Sequence, residues 1–189
     1  MNKSSTRVCR FSYDGNGLIT GNATGGLAFL DASGKVVSRV SKSFANPIYS
    51  LLVINENIIS VGDDDGAIKI FDVRNNEVVW DCHEQKNGTV SDMDIHSSMS
   101  YLLATNTNGT LGVYDLRVEN SSTKKLYSLS DDMDESLNCL SIMKDEKFVA
   151  VGSEEGVIQL FKWDWWGDSK DRILGHPEAV ECMIPYNQN

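Results

Sequence analysis

Four segments of this chain repeat one pattern: a short alternating apolar strand, a turn carrying Gly, and a second strand that in three of them ends in a large apolar residue plus Asp. They read LITGNATGGLAFLD (Leu18 to Asp31), IISVGDDDGAIKIFD (Ile58 to Asp72), LLATNTNGTLGVYD (Leu102 to Asp115) and VAVGSEEGVIQLFKW (Val149 to Trp163). The turn glycines Gly25, Gly66, Gly109 and Gly156 are separated by 41, 43 and 47 residues. A chain that repeats itself at such a period must stack like units, because one hairpin alone cannot bury its apolar face.

Each copy divides further. Ile48 to Ile54 is an almost continuous apolar run, which predicts a strand buried on both faces and therefore innermost. Ile58 to Val61 and Ala67 to Phe71 flank Asp64-Asp65-Gly66, and Asp-Gly supplies the positive φ of a tight hairpin turn. Thr24-Gly25, Asn108-Gly109 and Glu155-Gly156 stand at the same point. A more polar strand closes each copy, at Lys35 to Val40, Glu77 to Cys82, Lys124 to Leu129 and Arg172 to Leu174, as suits an edge that must not pair with other chains. Four strands in about 40 to 45 residues is the period of a propeller blade. The predicted fold is all-β: a β-propeller of four-stranded antiparallel blades, about four of them present, forming a partial, open propeller. The predicted blades are residues 7–42, 47–84, 89–130 and 136–176, with residues 179–185 as the inner strand of a further blade.

These repeats resemble the WD-repeat family of β-propellers over nearly the whole chain. The dipeptide is degenerate: Leu30-Asp31, Phe71-Asp72 and Tyr114-Asp115 stand for Trp-Asp, and the fourth copy carries Lys162 with Trp163-Asp164 one step later. Gly-His occurs once, as Gly175-His176. The segments Cys9 to Thr20, Asn46 to Asp72, Val149 to Asp164 and Glu181 to Pro185 are similar to a nucleolar branch of the family, above all Leu160-Phe161-x-Trp163-Asp164-x-x-Gly167 followed by Asp171-Arg172. That resemblance implies a nuclear, nucleolar role in ribosomal RNA processing and ribosome biogenesis. It also implies seven blades, of which 189 residues hold four. Open propeller ends would expose apolar faces, so self-association into a homo-oligomer through those ends is expected.

Composition bounds the partners. Lys and Arg number 17 against 27 Asp and Glu, giving a formal net charge of −10. Direct nucleic-acid binding needs a basic face and is not expected; a basic or pre-ribosomal protein is. No apolar run reaches the roughly 18–20 residues of a membrane span, and the first residues carry no apolar signal core, so an intracellular chain without membrane contact is expected. Cys9, Cys82, Cys139 and Cys182 lack Cys-x-x-Cys spacing and read as buried free thiols.

No catalytic, cofactor or metal site emerges. Gly62-Asp63-Asp64-Asp65-Gly66 lacks the first ligand of a calcium loop, Val61 standing in its place, and reads as a hairpin tip. Gly15-x-Gly17 with Gly21 has Thr20 where a dinucleotide fingerprint needs its third Gly. His83, His96 and His176 fall in different blades without metal spacing. A non-catalytic protein-interaction scaffold is therefore expected, and two features offer binding surfaces. Phe71-Asp72-Val73-Arg74 and Tyr114-Asp115-Leu116-Arg117 place Arg two residues beyond the blade Asp. This resembles the paired motif by which WD-repeat substrate receptors dock on the adaptor of a cullin-RING ubiquitin ligase, which gives the alternative function; it reads equally as a basic residue closing a strand end. The second is Trp163-Asp164-Trp165-Trp166-Gly167-Asp168, three of the four tryptophans in one loop. Strand alternation forbids Trp165 and Trp166 from both pointing inward, so one exposed interface anchor is expected there. The acidic run Asp131 to Glu135 offers a further surface for a basic partner.

Overall fold

The structure is a computed structural model that describes residues 4–41, 44–83, 88–118 and 125–186. The expected boundaries at 42 and 84, the first residue of the expected strand from Lys124, and residues 187–189 lie outside the described residues. Within them the chain is all-β, with one 3-10 turn at Lys144–Glu146. Sixteen strands form four antiparallel sheets of four, and each sheet takes its strands in sequence order. The first blade holds β1 (Thr6–Phe11), β2 (Gly17–Asn22), β3 (Leu27–Asp31) and β4 (Val36–Val40). The second holds β5 (Ile48–Val53), β6 (Ile58–Asp63), β7 (Ile68–Asp72) and β8 (Glu77–Cys82). The third holds β9 (Val90–Ile95), β10 (Tyr101–Asn106), β11 (Leu111–Asp115) and β12 (Leu126–Leu129). The fourth holds β13 (Leu137–Ile142), β14 (Phe148–Ser153), β15 (Ile158–Lys162) and β16 (Asp171–Ile173).

The turn between the second and third strands is built alike four times. Gly25, Gly66, Gly109 and Gly156 have φ of 73°, 82°, 82° and 79°, which a side chain rarely tolerates. Three residues earlier a short polar side chain caps the turn. Asn22 Oδ1 accepts from the N–H of Thr24 and Gly26, and Asp63 Oδ1 from those of Asp65 and Ala67. Asn106 Oδ1 accepts from Asn108 N–H, and Ser153 Oγ from Val157 N–H. The Asp63 carboxylate is thereby spent on its own hairpin, with Asn46 Nδ2 on its other oxygen at 3.2 Å.

The chain forms two compact units, Met1–Val90 and Ser91–Asn189. In the first, Ile48, Leu51, Ile59 and Phe71 form the centre of the core, with Val8, Ile19 and Leu27 packed on them. A Cβ at Gly21 would meet the Ile48 side chain, so this glycine sets how near the first two blades approach. In the second, Leu103, Leu137, Val149, Phe161 and Trp166 belong to one core. The third and fourth blades are also stitched by polar contacts. Asp92 Oδ2 accepts from Leu140 N–H at 3.2 Å and Asp94 Oδ2 from Ile142 N–H at 2.9 Å, while Ser91 Oγ donates to Leu137 O. Burial, with Glu146 adding, raises the Asp94 carboxyl above the ordinary value, although the Ile142 and Ile95 N–H groups offset part of this.

Three expectations need correction. β5 is not buried throughout: Tyr49 is exposed, with the Arg7 guanidinium over its ring at 5.7 Å, because the strand departs from regular pairing between Ile48 and Ser50. All four cysteines are free, but only Cys82 and Cys139 are buried. Cys9 lies on β1, where Val8 alone points into the core, and Cys182 lies beyond the last strand. Burial, with Asp92 adding, pushes the Cys139 thiol up to about 11, which leaves it protonated and unreactive at neutral pH. Residues 179–185 form no strand among the described residues; Val180 N–H donates to Ser153 O, and Cys139 Sγ lies 3.4 Å from Val180 O.

Candidate protein-interaction site

The Asp that ends the third strand of the first three blades acts first on its own backbone, whereas β15 ends in Lys162. Asp31 Oδ1 accepts from the N–H of Ser33 and Lys35, which closes the turn into β4. Asp72 and Asp115 accept likewise from Arg74 N–H and Arg117 N–H, each at 2.9 Å, and then hold the same arginine by its side chain. Arg74 reaches Asp72 with Nε at 3.1 Å and Nη2 at 2.7 Å. Arg117 reaches Asp115 with Nε at 2.8 Å and Nη2 at 2.6 Å. Each pair is a two-point fork of the kind a planar guanidinium makes best. The Arg74 bonds hold the Asp72 carboxyl down at about 2, Arg117 lowers Asp115 in the same way, and both guanidiniums are raised in return. Of the two readings of this motif, the geometry supplies the strand-end closure directly.

The remaining residues of the motif divide by burial. Phe71 and Tyr114 lie fully within their blades and Asp72 is buried against its arginine, whereas Arg74 and Arg117 have side chains 61% and 60% exposed. In the tryptophan loop, Trp165 is 68% exposed and Trp166 only 4%. β15 ends at Lys162, so the turn beyond it, and not strand alternation, sets one ring out and one ring in. Trp166 belongs to the core of the second unit and meets Trp163 edge-on at 5.0 Å; the chain beyond it is held by Asp131 N–H on Gly167 O. Positive φ at Asp164 and the bridge between Lys162 and Trp165 turn the loop so that Trp165 alone faces solvent.

Around this loop the second unit assembles an aromatic and charged rim that sequence reading missed. Trp163 stacks with His96 at 4.4 Å and meets Tyr101 at 6.1 Å, and Tyr101 meets Tyr127 at 5.3 Å. The Arg117 guanidinium lies 4.8 Å from the Tyr101 ring centre and donates to its hydroxyl at 2.7 Å. Across the blades, Glu146 accepts from Ser97 N–H and Ser97 Oγ and lies 3.1 Å from His96 Nε2. Burial alone would raise the Glu146 carboxyl; the two Ser97 bonds and His96 outweigh it and hold it below its ordinary value. Met99, Tyr127, Met143 and Trp165 stay exposed, and all but Tyr127 lie in the turns at this end of the two blades. Exposed aromatics and methionines beside an oriented arginine are the composition of a protein-binding surface. No pair spacing signals the rim, since Ser97 and Glu146 are 49 residues apart and meet only through stacking of their blades. Among the described residues no group of three or more His, Cys, Asp or Glu is placed to hold a metal ion, and no helix is long and apolar enough to cross a membrane.

No family model matches the chain. Curated proteins do match it. WD repeat-containing protein 55 of Bos taurus is 33% identical over 186 residues, which cover 98% of this chain and 47% of that protein. The Homo sapiens protein of that name is 33% identical over 184 residues, 97% of this chain and 46% of the relative. The Arabidopsis thaliana one is 28% identical over 191 residues, 99% and 52%. The chain thus spans about half the length of the curated relatives it matches. With four blades of one construction and a match to animal and plant relatives along nearly its whole length, this chain belongs to the WD-repeat family of β-propellers and is homologous to WD repeat-containing protein 55.

Proposed function

We propose that the chain is a non-catalytic interaction scaffold of ribosome biogenesis, acting in ribosomal RNA processing in the nucleolus and binding basic or pre-ribosomal proteins. The WD-repeat family serves in general as a protein-binding scaffold, and the exposed rim around Trp165 and Arg117 has the composition of such a surface. The observation that carries the reading is the match to WD repeat-containing protein 55 over 98% of the chain, taken with the resemblance of the Trp163 loop to the nucleolar branch. The formal charge of −10 favours basic proteins over a phosphate backbone.

Affinity purification of the tagged chain from its own cells, with mass spectrometry of what it retains, tests this reading. Pre-ribosomal proteins should be recovered with wild type and fall away with Trp165→Ala. Their absence from both, or recovery of a ubiquitin-ligase adaptor that Arg74→Ala and Arg117→Ala abolish, overturns it.

A further inference from the structure

The opposite end of the second unit is a different surface. There the loop after β12 sits between two hairpin tips: Met133 N–H donates to Gly109 O, and Glu154 N–H donates to Ser136 O. The chain after β16 joins them, because Val180 N–H donates to Ser153 O and a Cβ at Gly156 would meet the carbonyls of His176 and Glu178. The four segments that meet there, 106–110, 130–136, 153–157 and 174–181, hold eight carboxylates, one histidine and neither Lys nor Arg. Asp132, Asp134, Glu154, Glu155 and Glu178 are exposed.

Acidity alone would only make a solvated end. Beneath it, however, Gln159 on β15 is 1% exposed and donates Nε2 to Glu135 Oε1 at 3.1 Å, which leaves Gln159 Oε1 and Glu135 Oε2 buried with no hydrogen-bond partner. Flipping the amide does not help, for its oxygen would then face a carboxylate oxygen. Two buried acceptors on hydrogen-bonded side chains, one of them a carboxylate oxygen, call for a cationic donor. Glu135 itself is half-buried, so the approach to Gln159 runs past it from the acidic end. We propose that this end receives a lysine-rich segment of a protein partner, one ammonium seating between Glu135 Oε2 and Gln159 Oε1 while the exposed carboxylates draw in its neighbours. Lysine fits better than arginine because its three donors turn freely to meet two oxygens on separate groups, whereas the planar fork wants two on one. The inference deepens the proposed binding of basic proteins but does not depend on the ribosomal role or on the rim, and the peptide titration below can fail while the cellular purification succeeds.

Fluorescence anisotropy of a labelled peptide of alternating Lys and Gly, titrated with the full chain at low ionic strength, tests it. Wild type should bind, with affinity falling steeply as salt rises. Glu135→Gln should weaken binding roughly tenfold, the loss of one charge-assisted bond, with the thermal midpoint unchanged or raised, since the new amide can donate to Gln159 Oε1. Glu154→Lys combined with Glu155→Lys, both at an exposed hairpin tip, should weaken it at least as much, and Glu77→Lys on the edge strand of the first unit should leave it unchanged. No binding by wild type overturns the proposal. So does equal weakening by Glu77→Lys, which would mean net charge alone, or unaltered affinity in Glu135→Gln, which would assign the two acceptors to a buried water.

Discussion

Single carboxylates in this chain do opposite things, and pH separates them. Asp72 is held down at about 2 by Arg74, so its contribution to stability is complete above the ordinary carboxylate value of 3.8 and is lost as pH falls through about 2. Asp94 is raised by burial, so it stabilises the fold below 3.8 and that contribution is lost as pH rises through its folded-state value. Asp72→Asn should therefore lower the urea midpoint at neutral pH, with the gap to wild type closing toward pH of about 2. Asp94→Asn, which keeps an acceptor for Ile142 N–H without the buried charge, should hold or raise the midpoint at neutral pH and lose that advantage in acid. Urea titrations of the three proteins across this range decide the matter, and the same sign for both substitutions would contradict the assignments. The Asp-x-Arg spacing was visible in the sequence, but the raised carboxyl was not: Val-Ser-Asp-Met-Asp-Ile reads as a half-exposed strand until another blade is laid against it.

At the scale of elements, the tryptophan loop and the hairpin tips set the local energetics. Trp166→Ala should cost about 3–5 kcal/mol by emptying part of the second core. Trp166→Phe should cost clearly less, because the buried Nε1 has no partner to lose. Trp165→Ala should change stability by no more than about 0.5 kcal/mol, and chemical denaturation of the three variants measures the contrast. Gly25→Ala is predicted to be severe for a turn residue, about 1–3 kcal/mol from the positive φ alone, with a further penalty because the new Cβ meets Phe44 O. Thermal unfolding would show it, and a midpoint like that of wild type would refute the close approach. These hairpins were legible because their signals are local: alternation, turn glycine and edge polarity all lie within a few residues. The cap three residues before each glycine, at Asn22, Asp63, Asn106 and Ser153, was equally local and could have been found by aligning the four repeats on their glycines.

At the scale of the molecule, each unit carries its own core, and the seam within the second is partly hydrogen-bonded through side chains. Asp92→Ala should therefore speed amide exchange at Leu140, whose N–H the carboxylate accepts, while the amides of Ile59 and Val61 in the first unit keep their protection. Hydrogen exchange followed residue by residue gives the answer, and uniform loss of protection across both units would show that they open together. Because the chain spans about half of its relatives, partners of the whole protein can only be tested in cells, as the purification above does.

What the sequence determined by itself was periodic and short-ranged: an all-β chain, four strands to a blade, polar edge strands, and hairpin tips at Gly25, Gly66, Gly109 and Gly156. A strand's alternation and a turn's φ preference are fixed by steric and solvation effects among near neighbours, so one blade's sequence is enough to read them. Which side chains the stacking of blades brings together is set by the packing of whole sheets and can be read only in the folded chain. Trp166 went inside and Trp165 outside, Cys9 was left exposed, Tyr101 and Trp163 met between Arg117 and His96, and Glu135 came upon Gln159 with no donor for either free oxygen. Most of these contacts join residues tens of positions apart on different blades, and no local preference encodes a distance that the packing of two sheets creates.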